Sequence, residues 1–449
     1  MLGTRETRLH VHAIEPATDN RFPAPAVSRP YAWIVFALTF GLLLSDYMSR
    51  QVLNAVFPLL KTAWGLSDTQ LGSLSSVVAL MVGVLTFPLS ILADRWGRVR
   101  SIILMAALWS LATLGCAVAT NFGEMLVARA LVGLGEAAYG SVGMALIITI
   151  FPSHFRATLT AAFMAGGAFG SVLGMALGGV VAVHLGWRWS FGAMACLGML
   201  LVIAFWLTVS EKLSASGQLG KAGRRSVHTG MRTSLRSLLA GVFSTVSIVC
   251  AYVGSGLQLF IMGSVLVWTP SFLHRFYGMA PGKAAAAAAV LVLLGGCGMI
   301  VCGVITDRIS RVFPERNWVT AIAYCVISFV LLAVGFSLNA GAVQLVLLGA
   351  GIFVVAGTSG PAGAIVANLT PSSIHAPAFA MLTLANNLLG LAPGPMVTGI
   401  IADRIGLPGA LQVVPFIALV ATLAFVIGKS NYDNALRRLE VAPELQTGG

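Results

Sequence analysis

Four ionisable side chains interrupt long apolar runs in the first third of the chain. Arg129 and Glu136 stand seven residues apart in RALVGLGEAAYG, and Asp46 and Arg50 stand four apart in SDYMSR. Seven residues is two turns of helix and four is one, so each pair shares a helical face. Carboxylates and guanidinium groups at this spacing can pair with one another, hold an oppositely charged solute, or exchange protons. Burial favours a neutral carboxyl while a neighbouring arginine favours the carboxylate, and that competition lets protonation of Glu136 follow conformation. Structural readings stand beside the chemical ones. Glu136 can be locked in a permanent ion pair, Arg129 can cap backbone carbonyls, and Asp46–Arg50 can be an internal pair that orients its helix.

The elements that must position these groups are membrane spans. Hydrophobic residues make up 57% of the 449-residue chain and charged residues 9%, against roughly 25% charged in a soluble domain. A net charge of +12 would suit nucleic acid, but the basic residues fall in segments between apolar runs, which excludes it. A span needs about 20 apolar residues. Runs of that kind cover approximately 31–58, 70–93, 101–119, 123–150, 157–183 and 189–209, then 242–272, 284–306, 317–337, 341–369, 376–402 and 408–429. The sequence therefore predicts an all-α membrane protein of twelve transmembrane helices. Its expected parts are a disordered tail (1–30), a six-helix bundle (31–210), a basic linker (211–240), a second bundle (241–429) and a tail (430–449). Residues 1–29 lack the apolar core of a signal peptide. Twenty Lys/Arg fall on the side of the tails and linker and five on the other, which places both termini in the cytoplasm. The six cysteines lie within apolar runs and imply no disulfide framework.

The two halves repeat. Phe-Pro-Ser-His-Phe-Arg at 151–156 matches Thr-Pro-Ser-Ser-Ile-His at 370–375, ADRWGR from Ala93 matches TDRISR from Thr306, and Gly-Val-Val-Ala at 179–182 matches Gly-Ile-Ile-Ala at 399–402. Repeated bundles of this sort place a solute site between the halves near the bilayer midplane.

SILADRWGRVR at 90–100, with its copy GVITDRISR at 303–311, resembles the signature of the major facilitator superfamily between helices 2 and 3. The resemblance covers residues 31–429. Ser90 stands where the family has its first glycine. It implies the major facilitator fold of two pseudo-symmetric bundles, and a cytoplasmic gate formed by Asp94, Arg95, Arg98, Arg100, Asp307, Arg308 and Arg311. ARALVGLGEAA at 128–138 is similar to the family's helix 4 motif, whose arginine is associated with proton coupling, a role carried to Arg129. LSDTQLG (66–72), VGLGEAAYG (132–140) and GWRWSF (186–191) resemble the Spinster-like branch and, more weakly, the anion:cation symporters. Relatives often show Asp-Arg in helix 1. Here the pair reads Ser49-Arg50, with the acid displaced to Asp46. The first branch includes lysolipid and sphingolipid carriers and the second handles organic anions.

Helix 5 carries Gly166, Gly170, Gly174 and Gly178 at four-residue spacing, which lets another helix approach closely. The stripe is similar to an antiporter motif, but Ser171 and Met175 replace its prolines. Repeat alignment sets Gln258 opposite Asp46 and Met262 opposite Arg50. The second half offers only uncharged candidates.

These residues combine into a proton-coupled secondary transporter of a small organic anion, such as a carboxylate or aromatic acid, working by alternating access with uptake favoured. Glu136, Asp46 and Arg129 are the expected proton-coupling groups. Arg50, Tyr47, Tyr139, Gln258, Trp268, Asn386 and Asn387 are the expected substrate contacts. The expected partners are the solute, protons and the lipid bilayer; the protein is expected to be a monomer of the bacterial inner membrane. No nucleotide-binding glycine loop, paired metal ligands or nucleophile triad is present in the sequence, so no cofactor, metal or enzymatic activity is expected. A proton-driven exporter of lysolipids, sphingolipid-like amphiphiles or drugs would use the same residues, and a membrane sensor or lipid scramblase is the alternative of another class.

Overall fold

The computed structural model describes residues 28–151, 155–209, 243–371 and 374–437. The linker expected at 211–240, and most of both expected tails, lie outside the described residues.

The first half comprises α1 (Arg29–Trp64), α2 (Asp68–Trp96), α3 (Arg98–Val118), α4 (Phe122–Glu136), α5 (Tyr139–Ile150), α6 (Arg156–Leu185) and α7 (Trp187–Thr208). The second comprises α8 (Val246–Tyr277), α9 (Pro281–Ser310), α10 (Arg316–Ser337), α11 (Ala342–Ala356), α12 (Ser359–Asn368), α13 (His375–Ala385), α14 (Pro393–Val413) and α15 (Ile417–Ser430). Among the described residues, eleven helical stretches are long and apolar enough to cross a membrane. The last, Pro377–Ser430, holds 54 residues, about 80 Å of helix against a hydrocarbon core of about 30 Å. It reverses at Gly406, whose φ of 80° leaves the helical region, and so supplies two crossings. The total is twelve.

Beside end shifts such as 242–272 to Val246–Tyr277, three departures from the sequence expectation bear on the site. The first span, expected to stop at 58, runs on to Trp64 with Pro58 inside it. Proline removes one backbone donor, and without competing water the remaining hydrogen bonds keep the helix intact. The span expected over 123–150 breaks at Ala137–Ala138, and the one over 341–369 breaks at Gly357–Thr358. These breaks stand 220 residues apart, the spacing of the sequence repeat.

Close helix contact follows the glycines. A Cβ at Gly170 would collide with the Leu44 carbonyl and one at Gly174 with the Met48 backbone, so α6 lies directly against α1. The halves meet where α1 packs on α8, α2 on α14 and α6 on α9.

Apolar packing is not uniform along the molecule. One buried cluster joins both halves, with Phe57, Leu60, Leu71 and Trp187 beside Trp268, Phe272, Ala285 and Leu407. All of these lie toward the end where α1 finishes. At the other end, where α1 begins, the clusters separate. One holds Ala32, Val99, Ile150 and Phe205 from the first half, and another holds Ile248, Trp318, Leu369 and Tyr432 from the second. The halves are closed together at the far end and parted at the end that carries the first and last described residues.

Candidate functional site

The deep charges converge at the head of that gap. Gly133 and Gly135 let α4 settle between α2 and α3, since a Cβ at either would strike Val78 or Trp109. The helix then stops at Glu136, whose side chain points at α1. Arg50 Nε donates to Glu136 Oε2 at 2.5 Å. The Glu136 side chain is fully buried, while that of Arg50 is 23% exposed. Among the described residues Arg50 makes no other hydrogen bond, so both terminal amino groups remain available. Its guanidinium also lies 5.5 Å from the centre of the Tyr47 ring.

Asp46, one turn before Arg50, is buried and its carboxyl faces that of Glu136. Asp46 Oδ1 and Glu136 Oε1 are both buried without a hydrogen-bond donor. Arg129 plays a different part. It is 1% exposed, and donates from Nη1 to the Ser49 carbonyl at 3.3 Å and from Nε to that of Leu74 at 3.5 Å. It thereby ties α4 to α1 and α2 and supplies fixed positive charge behind the acids.

The remaining expected contacts do not gather here. Tyr139 is fully buried and donates to the Thr39 carbonyl at 2.6 Å; its hydroxyl braces α5 against α1. Trp268 is fully buried, packs on Phe57 with ring centres 5.4 Å apart, and donates to the Pro395 carbonyl at 3.0 Å. In this conformation it seals the far end. Gln258 is completely buried, with both amide atoms unpartnered. Asn387 is buried against Gly83 of α2 and donates to the Thr383 carbonyl. Tyr139, Trp268 and Gln258 thus offer no accessible surface to a solute in this state, and Asn387 only 6% of its own. Asn386 differs: partly exposed, it accepts from Ser255 Oγ at 2.8 Å at the start of a π-helical turn over Asn386–Leu391, a distortion frequent at functional positions.

The residues expected to gate the cytoplasmic side lie at the parted end. Arg98 donates to the Ala145 carbonyl and to Thr149 Oγ1, within its own half. Arg95, Arg100, Asp307, Arg308 and Arg311 are exposed. The side chain of Asp94 lies outside the described residues.

Sequence reasoning missed an ionic closure at the far end. Asp68, at the start of α2, takes Lys61 at 2.6 Å and both terminal amino groups of Arg275 from α8 at 2.8 Å. Asp403, from the second half, accepts from the Asp68 and Thr69 backbone N–H groups at 2.7 and 2.9 Å and from Thr69 Oγ1 at 2.6 Å. A carboxylate on the first amides of a helix also meets the positive end of its dipole. The sequence marks only where α2 begins, through the capping box of Ser67 with Gln70, and nothing of its partners across the interface.

Comparison with known proteins agrees with this architecture. Residues 39–392 match the profile described as Major Facilitator Superfamily. The chain is similar to the hexuronate transporter of Bacillus subtilis (strain 168), 24% identical over 413 residues that cover 88% of this chain and 95% of the relative. It is also similar to the gallate transporter of Pseudomonas putida, 26% identical over 434 residues, 91% of this chain and 93% of that one. Among solved structures, a bacterial homolog of the human lysosomal transporter Spinster, inward-facing and unoccupied, superposes with a TM-score of 0.80 at 18% identity, covering 91% of this chain and 99% of that one.

Proposed function

Since the chain belongs to the major facilitator superfamily and is a multi-pass membrane transporter rather than an enzyme, we propose that it couples proton movement to uptake of a small organic anion by alternating access. The observation that carries this reading is the Arg50–Glu136 pair at the head of the gap, with one face of the arginine still open. Asp46 and Glu136 share a site that accommodates one proton. Together with Arg50 and Arg129 the cluster has two positive and two negative groups, so a proton leaves it with one unit of positive charge. Protonation of Glu136 releases Arg50, whose planar fork then fits a carboxylate. When the proton leaves, Glu136 reclaims Arg50 and displaces the anion. The likeness to hexuronate and gallate transporters, both named for carboxylates, supports an anion as cargo. With both termini taken as cytoplasmic, the parted end opens inward, in a bacterial cytoplasmic membrane.

The test is substitution of Glu136 by glutamine in proteoliposomes. Glu136→Gln is expected to abolish pH-driven accumulation yet spare exchange of labelled for unlabelled substrate, because a permanently neutral group still permits Arg50 to bind. Undiminished pH-driven accumulation removes Glu136 from the coupling step.

A proton-driven exporter of amphiphiles is the second reading. It would use the same residues, and an apolar recess of about 600 Å³ between α8, α9 and α11 of the second half, with Val290 and Val346 exposed, would suit an apolar tail. Drug-tolerance assays set beside radiolabelled uptake separate the two directions.

A further inference from the structure

Beside Arg50 the wall of the gap carries a second set of polar groups, uncharged, which proton exchange does not use. Asn54 follows Arg50 by one turn of α1. Its Nδ2 donates to Gln51 Oε1 at 2.8 Å, and its Oδ1 accepts from Ser75 Oγ of α2 at 2.7 Å. Asn54 is 3% exposed, so the two contacts fix which way its amide faces and, through it, how both partners are turned. What they leave over is directional. The Gln51 amide nitrogen keeps two N–H donors and Ser75 Oγ keeps acceptor lone pairs, and both residues are partly exposed.

Both lie at the contact of α1 with α2, on either side of the buried Asn54. Tyr47, Gln51, Asn54 and Pro58 follow one another at four-, three- and four-residue intervals, one stripe of a helix. Along its length α1 packs against α6 and α7 of its own half and α8 and α9 of the other. A contact serving only to join α1 to α2 would need Asn54 and Ser75 alone. Gln51 adds hydrogen-bonding capacity at the partly exposed edge of the pair, adjacent in sequence to the arginine whose fork is open.

We infer that Gln51 and Ser75, oriented by Asn54, form a hydroxyl-binding subsite, and that the anion carried is a hydroxylated carboxylate, a sugar acid or hydroxybenzoate. The carboxylate meets Arg50, and a hydroxyl about one helical turn away, about 5 Å, accepts from Gln51 and donates to Ser75. A hydroxyl both donates and accepts, and so satisfies what an amide N–H and a serine lone pair leave open. An analogue lacking it strands those groups at the site edge, which weakens binding by about tenfold for each lost hydrogen bond. The inference rests on the organic-anion reading but is separable from it.

The experiment uses the purified full-length protein in nanodiscs and two matched pairs of probes, 3,4,5-trihydroxybenzoate with benzoate and gluconate with hexanoate. The readout is the ratio of affinities within each pair. The wild-type protein is expected to prefer the hydroxylated member by about tenfold or more in at least one pair. In the double variant Gln51→Leu/Ser75→Ala, checked for folding by its ligand-free melting curve, the ratio is expected to fall toward one. Gln51→Asn, which keeps the amide but shortens its reach, is expected to fall between. Equal affinities in the wild type, or a ratio that survives in the double variant, overturn the hydroxyl subsite while leaving the carboxylate reading in place. Failure of all four acids to bind overturns both.

Discussion

At Arg129 the structure separates two roles that the sequence left together. Both Arg50 and Arg129 interrupt apolar helices, but only Arg50 reaches the gap. Arg129 is enclosed, with carbonyls as its hydrogen-bond partners and the two acids as its electrostatic counterweight. Removing one partner from a buried set of charges typically destabilises by about 3–5 kcal/mol, since the remaining charge stays desolvated. Arg129→Met is therefore expected to lower stability by about that amount, read as loss of the monodisperse peak on heating. Arg50→Met, at a partly hydrated site, should lower stability less and anion affinity more. Equal losses of stability would show that Arg129 is no more deeply committed to the fold than Arg50. The existence of these four charges and their shared faces was legible in the sequence, because spacing along a helix is fixed. Their division of labour was not, because depth from the gap depends on which neighbours cover each turn. Gln258 shows the same limit: repeat alignment set it opposite Asp46, yet the polar residues of α8 are scattered around the helix and name no cavity face.

Among the elements, α2 governs closure. Its N-terminus is held by Asp403 across the interface, its Asp68 carboxylate by Arg275 of α8, and its Ser76 Oγ by the Met396 amide of α14 at 3.2 Å. Three contacts from the opposite half within three turns make this helix the strap of the far end. Substituting Asp403 by alanine withdraws the acceptor from two backbone amides and a threonine hydroxyl, and is expected to raise the population open at the far end by at least about tenfold. Spin labels at the exposed Thr62 and Lys283, one in each half, would report it as a longer distance by electron double resonance. An unchanged distribution in Asp403→Ala would mean that apolar packing alone holds this end. The sequence could not show the strap, because Asp68 and Asp403 each sit among ordinary polar residues at a span end, 335 positions apart. The π-helical turn that follows α13 and the paired breaks at 137–138 and 357–358 were equally hidden: Glu136 and Pro393 stand beside two of them, but a proline or a charge also sits inside unbroken helix, as Pro58 and Arg50 do in α1.

For the whole molecule, alternating access requires that the far end part when the other end closes, with the two halves moving as units. The interface at α6 and α9 gives a direct handle on that requirement. A Cβ built on Gly282 lies 3.8 Å from the Val183 Cβ, inside the range that a disulfide demands. Both positions are near the far end, in different halves. In a protein whose exposed Cys196 and Cys297 have been changed to alanine, the pair Val183→Cys/Gly282→Cys is expected to cross-link under mild oxidation and hold the far end shut. Binding of anion from the parted end should persist, since Arg50 remains reachable there, while net transport and exchange both stop. Reduction should restore both. This pattern differs from that of Glu136→Gln, where exchange survives and only uphill movement is lost, so the two experiments distinguish a fault in coupling from a fault in motion. Transport that continues through the oxidised form would show that the halves need not separate at α6 and α9, and the rocking mechanism would fail with it.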